Sequence, residues 1–498
     1  MAVRNFEVLV IGAGVSGAAL AYELARYTDI ESIGILEKYE DVATLNSCGT
    51  SNSQTIHVGD IETNYTLEKA AVTKRTAKMI EKYCLQYGYQ NDIMFSHQKM
   101  ALGVGEKEVE FLLHRFEEFS KLFPYLEVWD KDKLRELEPR VVLDENGKDR
   151  PETIVALGAK NQWTTVDFGK MSKSMIENAK KQEGKTVETF FNSQVTKIEK
   201  SKKRGYVVYC GEDKYYADFV VVNAGAHSLY IAHEMGYGHN LGCLPMAGSF
   251  YMTNEKMLNG KVYMIQNPKL PFAALHGDPD VLAGENTRFG PTALMLPKLE
   301  RYKPGTYMDF WKTLRLDKNI VIALWKLLKE SDIRSYIFKN FLFEVPFLNK
   351  HLFLKDARKI VPGLQLDEFR YAEGFGGIRP QVLNKDEQKL MLGEASINPG
   401  TGILFNMTPS PGATSCLGNA ERDLRYVVKY LGKNFDEELF NRELTEGEYC
   451  VLPEALESQK SRVNLIRAEI ARTQEKYESE LRHSNVDDTF WDKPHSKL

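Results

Sequence analysis

Gly12-Ala13-Gly14-Val15-Ser16-Gly17 follows directly on residues 6–11 (FEVLVI), a short β-branched apolar run, and opens residues 18–25, which have the composition and spacing of a helix. A second apolar run, residues 33–36, ends at Glu37, twenty residues after Gly17. Strand, glycine turn, helix, strand and acid in that order is an arrangement that binds the pyrophosphate of a dinucleotide. Gly12 permits the tight turn and Gly14 lets the backbone approach the pyrophosphate. Gly17 lets helix and strand pack closely, and Glu37, with Lys38 beside it, faces the ribose. The helix N-terminus adds oriented N–H groups for the anion. The motif alone does not separate one dinucleotide from another.

Two later turns have the same local form. Residues 214–222 (KYYADFVVV) read as a strand and enter the small-residue turn Asn223-Ala224-Gly225-Ala226. Residues 401–407 (TGILFNM) read as a strand, lead through 408–415 (TPSPGATS), and are followed by a helix over 416–431. The N–H groups at the start of that helix suit a negative charge. Three strand-to-helix turns, far apart in sequence, therefore point to one extended cofactor. The chain that must bring them together has 498 residues, 43% hydrophobic and 27% charged, with a net charge of −4. That excludes a disordered chain and a polycation for nucleic acid. The length exceeds one core's usual limit. No Pro/Gly/Ser linker separates two halves, so two interleaved domains are expected. Six cysteines lie at 48, 84, 210, 243, 416 and 450 without zinc or CxxC spacing, which predicts a reducing compartment and no metal. The first residues enter a strand at once, so no signal peptide is expected.

The order of these segments resembles the FAD-dependent oxidoreductases of the D-amino-acid-oxidase superfamily. Within them it is similar to the malate:quinone oxidoreductases, with L-2-hydroxyglutarate dehydrogenase as a near relative. The resemblance covers roughly residues 5–432. It rests on 8–25 (VLVIGAGVSGAALAYELA), 49–66 (GTSNSQTIHVGDIETNYT), 221–228 (VVNAGAHS), 271–280 (PFAALHGDPD) with 289–297 (FGPTALMLP), and 374–381 (GFGGIRPQ) with 408–415. It implies a Rossmann-like FAD-binding domain interleaved with a substrate domain on a mixed or antiparallel sheet. The expected boundaries are 1–90, 150–230 and 360–432 for the first, 91–149 and 231–359 for the second, and 433–498 for a charged helical extension. It also implies FAD, with Asn52 and Ser53 beside the flavin and Val195 at the adenine. Ala224 and Gly225 would lie near the pyrophosphate, and Gly412, Ala413 and Thr414 at the pyrimidine edge.

Oxidising a 2-hydroxy acid needs a cation for the carboxylate, a base for the hydroxyl proton and an acceptor for the hydride. Arg379, with Gln381 after it, is the main candidate for the carboxylate, because a guanidinium fork binds one bidentately. Arg288 is a second. His276, followed by Asp278 and Asp280, matches a histidine of the relatives' substrate sheet and is the expected base. His57 matches one beside the flavin. Residues 50–57 look more like the hydroxyglutarate relative and 61–66 more like the malate enzymes. The expected reaction is oxidation of (S)-malate to oxaloacetate with electrons passed to a membrane quinone. L-2-hydroxyglutarate or L-lactate as substrate stays open, and so does a non-catalytic flavin-binding protein.

Residues 301–350 carry ten Lys/Arg against five Asp/Glu, a local balance of +5, interleaved with Trp311, Trp325, Phe338, Phe341 and Phe343. Such helices suit an anionic interface, and they equally suit packing of an apolar stripe on a core. No run is long and apolar enough for a span. The expected location is cytoplasmic, peripheral on the inner face of the membrane if 301–350 binds it.

Overall fold

Val8, Leu9, Val10 and Ile11 are buried on both faces of a strand, Val3–Ile11, and a run so apolar forms a central parallel strand rather than an edge. The computed structural model describes residues 3–447 and 462–475, apart from 203, 267–273, 346, 347, 392, 410 and 473. Val3–Ile11 pairs in parallel with Ser32–Leu36 on one side and Asp213–Val222 on the other. Asp213–Val222 pairs in parallel with Ile403–Met407, and Ser32–Leu36 with Thr186–Phe190. Ala395–Ile397 and the hairpin strands Lys197–Lys200 and Tyr206–Cys210 complete an eight-stranded sheet. Helix Val15–Tyr27 packs against Phe168–Lys180 and Cys416–Leu431. Asp167 caps Phe168–Lys180, its carboxylate accepting from Lys170 N–H, as its position before the helix predicts.

Two further sheets form the other half. One runs Phe369–Tyr371, Tyr251–Thr253, Thr287–Gly290, His276–Pro279, Lys261–Met264, Lys99–Val104, Ile154–Ala159 and Glu127–Trp129 in spatial order. The other runs Leu294–Met295, Leu241–Ala247, Ile378–Asn384 and Lys389–Leu390. The expected interleaving is therefore present, with a difference. The stretch 369–390, expected with the nucleotide-side sheet, supplies strands to both of the other sheets. Residues 154–159, expected with the same domain, join the larger of these two sheets. Alternation in a short strand marks one buried face but does not say which sheet receives it.

Helices Tyr307–Leu314, Lys318–Lys329, Ser331–Leu342 and Asn349–Ala357 fill the connection between Leu294–Met295 and Phe369–Tyr371. Phe310, Leu314, Ile320, Ala323 and Ile333 turn inward. Trp325, Phe338 and Phe341 face outward, more than half exposed. No helix among the described residues is long and apolar enough to cross a membrane. Residues 462–472 form a helix that Arg467 ties to Glu110 and Glu117 of helix Glu106–Phe119. The remainder of the expected C-terminal helix lies outside the described residues.

Glu23, on the buried helix Val15–Tyr27, is fully buried and neither carboxyl oxygen finds a hydrogen-bond partner among the described residues. Burial, reinforced by Glu421 and Asp423, holds its pKa well above the usual carboxylate range. The folded state thus retains a proton that the unfolded chain releases. The stability this proton confers is present below the unfolded pKa and is lost as pH rises through the folded one. Glu23→Gln removes that loss. Its melting temperature should exceed the parent's by on the order of 2 °C at pH 8, with the difference vanishing toward pH 4.5. Scanning calorimetry across that range checks it.

Candidate functional site

The ends of Val3–Ile11, Asp213–Val222 and Ile403–Met407 open onto a cavity of about 480 Å³. Its near end is built by the glycine turn. Gly12 has φ +102°, and a methyl group there would lie 2.4 Å from the Asn223 carbonyl, so two strand ends meet where only glycine fits. Gly17 faces inward instead. A methyl on it would lie 1.9 Å from the Gly12 carbonyl, so its part is packing rather than lining. Gly14, Glu37, Lys38, Val195, Ala224 and Gly225 all line the cavity. Val195 sits in the turn before strand Lys197–Lys200. Glu37 Oε2 accepts from Ala13 N–H at 2.8 Å and keeps acceptor capacity toward the cavity. Burial raises its pKa, against backbone N–H groups that lower it. Lys38 is tied to Glu300 at 3.1 Å. A close-approach glycine, a buried acid and a helix N-terminus converging on one slot fit the ADP half of a dinucleotide.

At the far end, Asn52, Ser53, Thr55, His57, Arg379, Gly412 and Ala413 line the same cavity. Thr414 lies behind them, fully buried. Its hydroxyl accepts from His57 N–H and donates to the Thr55 carbonyl, which joins the 408–415 turn to the 49–57 segment. Glu394 sits on the first turn of helix Cys416–Leu431, bonded to Ser415 and Asn419, so part of that helix's positive end is already matched.

His57 Nδ1 donates to Glu62 Oε1 at 2.6 Å. Glu62 also accepts from Gly59 N–H at 2.8 Å. Burial works to raise the Glu62 pKa, but the His57 hydrogen bond and charge, with Lys99, hold it below the usual range. An ionised Glu62 on Nδ1 leaves Nε2 as the acceptor, and Nε2 has no partner among the described residues. Arg379 lies on strand Ile378–Asn384 opposite Met246. It makes no hydrogen bond or ion pair to the described residues. Burial lowers its pKa, against the nearby phenols of Tyr336 and Tyr263 that raise it. A buried guanidinium without a carboxylate is costly unless an anion completes it.

The other sequence candidates lie outside the cavity. His276 is 2% exposed, with Nδ1 2.6 Å from Asp278 Oδ1 and its ring stacked on Tyr263 at 4.4 Å. Burial keeps its pKa low in spite of Asp278. Arg288 is fully buried and paired with Asp280 at 2.9 Å. Gln381 is buried and donates to the Met391 carbonyl. Conversely, Glu62, Tyr263, Ser47 and Asn46 were not read from the sequence. Ser47 accepts from Val15 N–H at the helix start, and Asn46 accepts from Ile378 N–H one residue before Arg379. An acid five residues after His57 was the available signal for Glu62. Nothing local marks the others.

A family model described as malate:quinone oxidoreductase matches residues 4–478. The match extends past 432 and so takes in much of the tail that the sequence resemblance left out. A probable malate:quinone oxidoreductase of Campylobacter jejuni is 58% identical over 448 residues, covering 89% of this chain and 100% of that protein. The malate:quinone oxidoreductase of Helicobacter pylori is 47% identical over 447 residues, covering 89% and 99%. Among solved structures, the FAD-bound L-α-glycerophosphate oxidase of Mycoplasma pneumoniae superposes with a TM-score of 0.59 at 19% identity, covering 87% of this chain and 96% of that one. Glycine oxidase of Geobacillus kaustophilus gives 0.59 at 15%, covering 86% and 95%. These two share the fold of FAD-dependent oxidoreductases, with its Rossmann-like nucleotide-binding domain. On its sequence matches, the chain belongs to the malate:quinone oxidoreductase family.

Proposed function

We propose that the chain binds FAD along the cavity, oxidises (S)-malate to oxaloacetate at the far end, and passes the electrons to a quinone. The observation that carries the site assignment is the unpaired Arg379 guanidinium lining the same cavity end as the His57–Glu62 pair. Arg379 takes one malate carboxylate through its planar fork. His57 Nε2 takes the C2 hydroxyl proton, and Glu62 stabilises the resulting imidazolium. Bound FAD supplies a two-electron acceptor for the C2 hydride. His276, favoured as base from sequence alone, lies one layer back, and its stacking on Tyr263 supports the wall instead. Arg288 and Gln381 likewise act from behind the wall.

A quinone acceptor dissolves in lipid, so the enzyme works at a membrane surface. The helical connection supplies a suitable face. Twelve of the twenty-one large hydrophobic side chains that are exposed among the described residues lie between 302 and 352. They stand among Lys312, Lys326, Lys329 and Arg334, and aromatic side chains between basic ones suit an anionic bilayer interface. The inner stripe packs on the core while the outer one stays exposed, so both readings of this segment apply, each to its own face.

Three measurements test this. Malate added without oxygen should bleach the yellow protein, and lactate or 2-hydroxyglutarate should not; bleaching by either of these in preference to malate would reassign the substrate. His57→Asn should lower kcat by about 10²–10⁴-fold with flavin retained, while Arg379→Met should raise KM for malate by about 10²-fold. Charge reversal at Lys312, Lys326 and Lys339 together should abolish pelleting with phosphatidylglycerol vesicles and leave the reaction with a soluble quinone analogue unchanged.

A further inference from the structure

Residues 49–55 form the cavity wall through Ser51, Asn52, Ser53 and Thr55. Their carbonyl groups are held from behind by the sheet that contains Lys261–Met264, His276–Pro279 and Thr287–Gly290, and by Gln54. Arg288 Nη1 donates to the Gly49 carbonyl at 3.3 Å and lies 2.9 Å from Asp280. Gln54 Nε2 donates to that same carbonyl at 3.2 Å and to Asp280 Oδ1 at 3.1 Å, while its Oε1 accepts from Val281 N–H at 3.2 Å. Lys261 Nζ donates to the Ser53 carbonyl at 3.2 Å. Tyr263 and Thr55 share a hydroxyl–hydroxyl bond of 2.8 Å.

Lys261, Asp278, Asp280 and Arg288 are all 0% exposed. Burying each such ion costs several kcal/mol, and only a neutral, mutually paired set is tolerable. Two cations and two anions balance in charge: Arg288 lies 2.9 Å from Asp280 and 3.6 Å from Asp278, and both carboxylates act on Lys261 through their charge. Gln54 adds a second sign of constraint. It is non-glycine at φ +53°, a conformation that persists only where the surroundings over-determine it. None of the four ions lines the cavity, so none is placed to touch substrate or cofactor.

We propose that Lys261, Arg288, Asp280 and Gln54 form a charged clamp that sets the position of the 51–53 wall against the flavin ring, making Lys261 and Arg288 positioning residues rather than substrate ligands. The clamp rests on the assignment of the far end of the cavity to the flavin. Its physical logic is that both cations pull peptide carbonyls away from the cavity. The peptide N–H groups of Asn52 and Ser53, which find no partner among the described residues, remain available to the cavity side. The clamp also links the substrate sheet to the cofactor wall, because Lys261 lies on Lys261–Met264, Arg288 on Thr287–Gly290, and Asp280 directly after His276–Pro279.

The clamp depends on the charge of Lys261. Burial lowers its pKa to about 8; Asp278 on His276–Pro279 and Asp280 just after it oppose this, and Arg288 on Thr287–Gly290 and Lys99 on Lys99–Val104 add to it. Above that pH Lys261 becomes neutral, the buried carboxylates lose a nearby positive charge, and the hold on Ser53 weakens.

The test compares Lys261→Met with the parent as purified holoenzyme. Expected are a displaced visible flavin band, a kcat lower by about 10-fold, a malate KM within about 2-fold of the parent, and no fall in kcat between pH 7 and 9 where the parent falls. An unchanged flavin band with unchanged kcat overturns the proposal, as does a rise in KM that accounts for the whole loss. Should Lys261→Met not fold, Gln54→Met, which removes three hydrogen bonds of the clamp without removing a charge, is read by the same band and the same split. The flavin band is recorded without substrate, so it decides the clamp even if malate fails to bleach the parent.

Discussion

Strands Val3–Ile11, Asp213–Val222 and Ile403–Met407 run parallel and in register, with Val10 beside Val221 and Val221 beside Leu404. Parallel strands end on the same edge of their sheet. Three turns that are some two hundred residues apart therefore emerge side by side, and the crevice beyond their carboxyl ends becomes the binding slot. The constraint is tight at one point, where the Gly12 turn presses on the Asn223 carbonyl and leaves no room for a side chain. A shift of register at either junction would separate the ADP end of the cavity from the His57 end. The rest of the site inherits its geometry from this edge, because Thr414 on the third turn bonds directly to the backbone around His57.

The second half of the molecule reaches the cavity by a different physical means. The nucleotide-side sheet uses backbone register and apolar packing. The substrate side uses buried charge: Lys99 with Asp60, and Arg288 with Asp280, are pairs in which no partner is exposed. Such pairs contribute little net stability, since desolvation offsets most of their attraction. Their effect is directional. A hydrophobic contact tolerates sliding, whereas a guanidinium bonded to both a carboxylate and a peptide carbonyl does not. Where two domains are threaded through each other and must fix a wall to within a fraction of an ångström, directional bonds suit the task better than area.

The sequence made the nucleotide edge legible because its signals are local. A glycine turn, β-branched runs and the acid after the second strand each report on their own neighbourhood. The strand read at 214–222 and the helix read at 416–431 followed from such signals. The candidate catalytic end was legible only as a set of residue types. His57, His276, Arg288 and Arg379 were singled out by residue type and motif, yet sequence could not say which faces the cavity. The difference between His57 and His276 is one layer of burial behind Tyr263, and Tyr263 carries no local mark. The range 360–432 was expected in the nucleotide-binding domain, yet its strands at 369–390 pair in the other sheets, because partner choice in short strands is decided by distant residues.

The helical connection unites two requirements that otherwise compete. A quinone enzyme needs an apolar outer face, and a dicarboxylate site needs a buried cation sheltered from water. Helix Ser331–Leu342 meets both with one turn of separation. Phe338 and Phe341 are exposed on its outer side, while Asn340 caps Ala293 N–H and Tyr336 stands near the Arg379 guanidinium on its inner side. Its C-terminal end is stapled where Glu344, just past it, and Arg301 both bond to Ser249 and Tyr371. A helix fixed at its base can bear on a bilayer without opening the substrate site.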